Sequence, residues 1–224
     1  EAHQEYRETK MTYLGRLDPM AEGLLLVLAG NTKDKLKYLD LDKTYEFEVL
    51  WGFESDTYDV LGKIKNTLKT PTKIETKMPA LLKKIGVKKT QAYPPYSSKA
   101  VGGKPLFMWA RENRVGEIEI PDRGIKIFSI EHIHTRYISA KEVLAQVSQK
   151  ISWVQGDFRQ KEVLLSWNRA LKNVGNNLLV SKFKTDVSTG TYIRGLAHDM
   201  GKILNTGGLA YSIKRSRVGE YLLY

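Results

Sequence analysis

The sequence predicts an α+β domain in which strands pair through hairpins and helices are interspersed among them, rather than alternating strand and helix. Three stretches carry that reading. From Lys43, KTYEFEVLWGF puts Tyr45, Phe47, Val49 and Trp51 on one face and Glu46 and Glu48 on the other, the alternation of a half-buried strand. Gly102-Gly103 stands between two short segments as a hairpin turn. Ile193, Leu196, Ala197, Met200, Ile203 and Leu204 recur at offsets 0, 3, 4, 7, 10 and 11, an amphipathic helix stopped by Asn205 to Gly208.

In chain order, the first feature is LGRLDPMAEGLLLVLAGNTKDK, residues 14–35, where Arg16, Asp18 and Pro19 directly precede a core-sized apolar run, Leu24 to Ala29. Asp followed by Pro, with Glu22 nearby, is helix-capping chemistry, so the residue-level reading of Asp18 is an N-cap. The strand from Lys43 leads into ESDTYDVLGKI, a turn with Asp56, Asp59 and Gly62 followed by a short return strand. Ile74, Met78, Leu81, Leu82 and Ile85 keep helical spacing, and Pro79 is expected to open the main part of that helix. Pro94-Pro95 forces an extended backbone, and Leu106 to Arg111 is helical. IKIFSIEHIHTRYI is a strand, whereas residues 141–172 fit helix and strand patterns equally. NLLVSKFKTDVS is a strand ending in a turn at Thr189-Gly190, and the final YSIKRSRVGEYLLY reads as basic first and strand-like after. With no internal repeat and no linker, residues 1–224 form one domain.

Charge narrows the function. The 224 residues carry a formal net charge of +11, with the lysines spread along the chain, which favours a basic face for a polyanion, most commonly nucleic acid. No cysteine is present, which excludes disulfides and thiolate metal sites and fits a reducing compartment, so a cytoplasmic location is expected. No apolar run reaches the roughly 18 residues of a membrane span. The first residue is Glu1 rather than methionine, so the chain reads as a fragment or a processed product. A monomer is expected.

Several motifs have plain structural readings. His132 and His134, two apart on a strand, point to the same side, but no third ligand accompanies them and paired surface histidines are the better account. His198-Asp199 reads as a solvated or capping feature. VGGKPL lacks the spacing and the Lys-Ser/Thr pair of a phosphate loop and is a turn. No metal and no cofactor is expected. Asp18 differs because STGTYIRG, residues 188–195, again sets a tyrosine and an arginine at a strand-to-helix junction. An arginine there can pair with a carboxylate and hold it ionised, and an aromatic can stack on a flat ligand. On a basic chain, that combination points to chemistry on a base rather than on a phosphate.

These residues resemble a known family. GRLDPMAEGLLLVLAGNTK is similar to the catalytic segment of the TruB-type tRNA pseudouridine synthases, with Gly-x-Leu-Asp-Pro, Ala-x-Gly and an apolar run ending before Thr-Lys. KTYEFEVLWGFESDTYDVLGKI resembles the family's Lys-x-Tyr strand and Thr-Asp-x-x-Gly turn, and QAYPPYSSKAVGGKPLFMWAREN its Pro-Pro-x-Tyr-Ser segment. VSTGTYIRGLAHDMGKIL matches the Gly-Thr-Tyr-Ile-Arg helix start, and IKRSRVGEY the closing Leu-Arg-Arg segment. The likeness runs in order from about Leu14 to Val218, weaker over 125–175. The ribosomal pseudouridine synthases share Gly-Arg-Leu-Asp; Pro19, Pro-Pro-x-Tyr-Ser and Gly-Thr-Tyr-Ile-Arg favour the tRNA type.

The resemblance implies the pseudouridine synthase fold, a mixed, mainly antiparallel central sheet flanked by helices and hairpin loops. It implies isomerisation of uridine to pseudouridine at position 55 in the T-loop of tRNA, without cofactor. Asp18 would be the nucleophile, attacking base or ribose so that uracil detaches, rotates and rejoins through carbon 5. Arg194 would hold Asp18 charged, and Tyr45 would stack on the uracil and assist removal of the carbon 5 proton. Tyr192 and Ile213 would line the pocket of a flipped base. Lys99, Lys104, Lys214 and Arg215 would contact phosphates. Three departures stand out: Tyr13 where the family usually has histidine, no upstream Lys-Pro-x-Gly-x-Thr-Ser segment, and no residues after Tyr224 for a C-terminal RNA-binding domain. The rival readings are a synthase acting on ribosomal RNA and a non-catalytic RNA-binding or RNA-folding protein.

Overall fold

The computed structural model describes residues 6–30, 35–68, 70, 72–172, 174–175 and 177–223. The chain opens with β1 (Met11–Leu14), β2 (Glu22–Gly23), β3 (Leu26–Ala29) and α1 (Lys35–Leu39), then β4 (Lys43–Trp51), β5 (Phe53–Ser55) and β6 (Ile64–Thr67). Next come α2 (Ile74–Gly86), β7 (Thr90–Ala92), β8 (Ala100–Val101), β9 (Lys104–Pro105), α3 (Leu106–Arg111), β10 (Asp122–Gly124) and β11 (Ile127–Ile138). The rest is α4 (Ala140–Trp153), α5 (Gln160–Leu171), β12 (Leu178–Val187), α6 (Ile193–Leu204), β13 (Gly208–Val218) and β14 (Tyr221–Leu222).

The central sheet runs β11-β12-β4-β13-β14, all antiparallel, with β2 added parallel to β13, so it is mixed and mainly antiparallel as expected. Alternation along β4 buries Tyr45, Phe47, Val49 and Trp51, and Phe183 of β12 stacks on Phe47 at 5.3 Å between ring centres. α6 packs on β13 and β4, and α2 on β11 and α6. α6 sits close because Gly201 faces Gly208: a Cβ on Gly201 would lie 2.1 Å from the Gly208 nitrogen. Both buried indoles find acceptors, Trp51 at Ser181 Oγ (2.9 Å) and Trp167 at the Val60 carbonyl (3.0 Å).

The hairpin at Gly102-Gly103 forms with both glycines at positive φ, and β6 returns along β5 as expected. Residues 141–172 resolve into two helices. The first has a capping box: Glu142 N–H donates to Ser139 Oγ, and Ser139 N–H to the Glu142 carboxylate. In the last segment the basic part is itself strand, since β13 runs through it from Gly208 to Val218.

Other expectations change. Pro79 lies inside α2 rather than at its start; Ile74 and Met78, both buried, hold the turn ahead of it and offset one missing backbone hydrogen bond. No helix follows Asp18, so it is not an N-cap; the chain turns there, with Ala21 N–H donating to the Asp18 carbonyl at 2.8 Å, and continues as β2 and β3. The apolar run is not a core segment. Among the described residues β3 pairs only with β1, and a two-stranded ribbon covers one face, leaving Leu25 41% and Val27 52% exposed. A β-bulge falls between His132 and His134, so they do not share a side: His132 packs beside the Phe183 ring and His134 lies exposed opposite Lys182. Among the described residues, no helix is long and apolar enough to cross a membrane.

Candidate active site

Asp18 sits on a loop pinned at both ends. On its near side Leu14 is buried at the end of β1. On its far side β2 runs beside β13 so closely that a Cβ on Gly23 (φ +106°) would lie 2.3 Å from the Arg215 carbonyl, which restricts the position to glycine. Arg215, 1% exposed, closes the loop from within. Its Nε donates to the Leu24 carbonyl (2.7 Å), its Nη2 to Gly15 (3.1 Å) and its Nη1 to Arg16 (3.4 Å). Its guanidinium faces carbonyls inside the fold, not solvent, which overturns the reading of Arg215 as a phosphate contact. The Asp18 loop is therefore anchored by this buried arginine and the β2–β13 pairing.

The Asp18 carboxylate accepts from Arg194 Nε at 3.1 Å. The pair is asymmetric: the Asp18 side chain is 27% exposed and the Arg194 side chain 4%, so the carboxylate is the partner that reaches solvent and the guanidinium is the buried one. Arg194 is held by two more bonds, Nη1 to the Thr57 carbonyl and Nη2 to the Tyr96 carbonyl, both 2.8 Å. Three acceptors from three separate segments fix the plane of the guanidinium, an arrangement that a flexible ammonium would not reproduce.

Tyr45 faces Arg215 across the β4–β13 pair. Burial pushes its phenol pKa up, the Arg215 charge and hydrogen bond pull it down, and the Asp18 charge adds to the rise. Tyr192 precedes α6 and is clamped by Gln91: Tyr192 N–H donates to Gln91 Oε1 (2.9 Å), and Gln91 Nε2 donates to the Tyr192 carbonyl (3.1 Å). The Arg194 guanidinium lies 5.6 Å from the Tyr192 ring centre. Ile213 is buried opposite Phe47, on the same side of β13 as Arg215. The fold thus gathers Asp18, Arg194, Tyr45, Tyr192 and Ile213 on one side of the sheet.

The remaining expected residues lie further out. Tyr13 is exposed on β1 with the Arg16 guanidinium 5.5 Å from its ring centre. Lys99 Nζ is 5.5 Å from the Tyr93 ring; Lys104 Nζ is 3.9 Å from the Trp109 ring and 2.5 Å from Glu112. Lys214 pairs in register with Glu46, on the face of the sheet away from Tyr45.

Three contributors escaped the sequence reading. Asp59, read as a turn residue, is fully buried and accepts from Thr57 Oγ1 (2.6 Å) and Leu61 N–H (2.9 Å). Burial pushes its carboxyl up to about 6 against the downward pull of Arg194. Gln91 gave no signal beyond its place in the Pro-Pro motif. His198 is buried rather than solvated: it stacks on Tyr58 at 3.8 Å, burial pushes its pKa down to about 4, and its Nδ1 has no hydrogen-bond partner among the described residues. Tyr58 holds a left-handed backbone (φ 67°) between Thr57 and Asp59, so the stack fixes the loop that supplies the Thr57 carbonyl to Arg194.

The chain is similar to known proteins over most of its length. The chain is 27% identical over 218 residues to a protein named tRNA pseudouridine synthase B from Aquifex aeolicus (strain VF5), covering 97% of this chain and 61% of that protein. It is 30% identical to the protein of that name from Malacoplasma penetrans (strain HF-2), covering 97% and 77%, and 33% identical to that from Syntrophomonas wolfei, covering 95% and 58%. The chain spans between about half and three quarters of the length of these and similar relatives. A crystal structure of a Cbf5-Nop10-Gar1 complex shares the fold, with a TM-score of 0.54 at 19% identity over 95% of this chain and 41% of that one. The family described as TruB family pseudouridylate synthase (N terminal domain) matches residues 3–152, which contain Asp18, Tyr45 and the Tyr96 segment. Matched over residues 3–152 by that family and over 97% of its length by a relative 30% identical, this protein is a member of the TruB family of pseudouridylate synthases.

Proposed function

We propose that this chain is a single catalytic domain, cytoplasmic and monomeric, that isomerises uridine to pseudouridine at position 55 in the T-loop of tRNA. The observation that carries the reading is the Asp18–Arg194 pair, with its carboxylate reaching solvent and its guanidinium triply held within. A carboxylate whose charge is compensated from behind keeps its outer oxygen free to attack an incoming nucleoside. The relatives named tRNA pseudouridine synthase B support tRNA as the substrate.

In this scheme the uridine leaves its stack and enters between Asp18 and the Tyr45–Tyr192 side. Asp18 forms a bond to the nucleoside and the glycosidic C–N bond breaks. Uracil then turns and rejoins through carbon 5, the bond to Asp18 breaks, and the carbon 5 proton passes to a ring nitrogen. Nothing is gained or lost overall, so the steps call for no oxidant, reductant or group donor. Tyr45 is a neutral phenol at physiological pH, since burial raises its pKa; it stacks on uracil and relays a proton only by releasing its own. Tyr192 and Ile213 shape the pocket, and Tyr13 at its rim supports the opened RNA loop. Lys99 and Lys104 offer the phosphate contacts; Lys214 serves RNA that reaches the other face of the sheet.

The test is chemical mapping of pseudouridine in a tRNA transcript after incubation with the chain. A single modification at position 55 is the expected result. Modification of ribosomal RNA but not tRNA would transfer the reading to the sister substrate, and tight binding of tRNA without any modification would leave a binding protein.

A further inference from the structure

The segment behind the active site contains an ion pair that the proposed reaction does not touch. Arg159, the residue just ahead of α5, points back toward the catalytic half of the molecule. Its Nη1 lies 2.6 Å from Asp56 Oδ2 and its Nη2 3.3 Å from Asp56 Oδ1, a two-pronged contact with both side chains largely buried, 14% and 11% exposed. The same guanidinium covers the Tyr96 ring at 4.5 Å. Arg159 also holds a left-handed backbone (φ 58°), a conformation that a non-glycine residue keeps only when its surroundings impose it.

Asp56 and Tyr96 belong to the two segments whose carbonyls hold Arg194: Thr57 follows Asp56, and Tyr96 supplies its own carbonyl. Asp56 is further locked to its loop, accepting from Lys63 N–H at 2.9 Å. Arg111 of α3 joins the same corner through Asp157, two residues before Arg159. Arg159 therefore bridges through side chains the same 56–57 segment and Tyr96 that Arg194 holds through their carbonyls. The geometry points to Arg159 as a positioning residue: through Asp56 and Tyr96 it sets the two carbonyls that orient Arg194, and through Arg194 it aims Asp18. α5 follows residues 3–152, the part of the chain that matches the family description.

The inference about reaction rate rests on the isomerase reading, whereas the inference about geometry does not, and the test separates them. The first readout is hydrogen exchange of the Arg194 Nε–H, followed by nitrogen NMR of arginine-labelled protein and assigned by its loss in Arg194→Lys. Arg159→Met, which keeps the stem and removes the charge, is expected to speed that exchange by about tenfold or more. Arg159→Lys, which restores a charge opposite Asp56 but not the two-pronged contact, should fall between Met and the parent. Val147→Ala, a core change in α4, should leave the signal unchanged. Asp56→Asn removes the same pair from the other side and supplies the comparison should Arg159→Met not fold. Exchange in Arg159→Met and Asp56→Asn equal to the parent overturns the inference, as does an equal response to Val147→Ala. The second readout is the single-turnover rate of pseudouridine formation, expected to fall about tenfold in Arg159→Met with KM little changed. If the parent modifies no RNA while the exchange responds as stated, the isomerase reading fails and the positioning role stands.

Discussion

Replacing Arg194 by lysine should destabilise this protein more than removing the charge of Asp18, its partner that reaches solvent. Arg194 is buried and bonds to three acceptors, the Thr57 and Tyr96 carbonyls and the Asp18 carboxylate. A lysine ammonium on a shorter donor set reaches one of them well. Water can serve Asp18, whose side chain is 27% exposed, but not a carbonyl sealed behind the guanidinium. One buried acceptor left without a donor costs about 1–3 kcal/mol, and a buried charge in poorer geometry adds about 1. The sum is about 2–4 kcal/mol, which for a domain of this size lowers Tm by about 4–16 °C. Asp18→Asn keeps an acceptor for Arg194 and should change stability by less than about 1 kcal/mol. Urea titration followed by the fluorescence of the buried Trp51 and Trp167 measures both variants in one assay. Equal stability of Arg194→Lys and the parent, or a larger loss in Asp18→Asn than in Arg194→Lys, would refute the claim that the guanidinium is held mainly by the backbone.

Other perturbations follow from the same geometry. Gly23→Ala forces a Cβ against the backbone of Arg215 and should separate β2 from β13; activity should vanish while far-ultraviolet circular dichroism stays near the parent's. Gln91→Leu removes both bonds that clamp Tyr192, so KM for RNA should rise several-fold, about 1 kcal/mol of lost positioning, measured by steady-state kinetics. His198 has its folded pKa pushed down to about 4 by burial, so the unfolded chain takes up the proton first. The stability it contributes is present above pH 6.5 and is lost as pH falls toward 4; His198→Phe should flatten that loss in denaturation midpoints taken at successive pH values. Asp59 acts with the opposite sign: its folded pKa is raised to about 6, so its contribution is present below its ordinary value and lost as pH rises through 6. Asp59→Asn should abolish that decline in the same titration.

Much of this architecture is legible in the sequence where period and burial coincide. The strand from Lys43 and the helix from Ile193 have one face fully covered, so their apolar spacing reports their structure directly. Leu24 to Ala29 misled because burial there depends on a partner: an apolar strand in a two-stranded ribbon looks the same in sequence as one in a core. Asp18-Pro19 carries the same signal for a helix cap as for the turn that forms, and the bulge that parts His132 from His134 leaves no mark in the alternation. Other misses were readable. Ser139-x-x-Glu142 is a capping box that announces α4, and Asp59 accepting from Leu61 N–H is the two-residue reach of an Asx turn. Arg215 stands two residues after Ile213 on a strand, so it shares the inward face; its basic neighbours disguised it as a surface residue. Arg194 was placed with Asp18 by their two junction motifs, but the carbonyls of Thr57 and Tyr96, and the Arg159 contact behind them, come from segments far apart in sequence and become visible only in three dimensions.

The central claim is that Asp18 is a nucleophile and not a structural carboxylate. Release of tritium from tRNA labelled at carbon 5 of uridine tests it most directly, because the label leaves only when uracil is rejoined through that carbon. The parent should release label and Asp18→Asn, folded and still binding tRNA, should release none. Equal release by the two would contradict the account, since the isomerisation would then run without the Asp18 carboxylate.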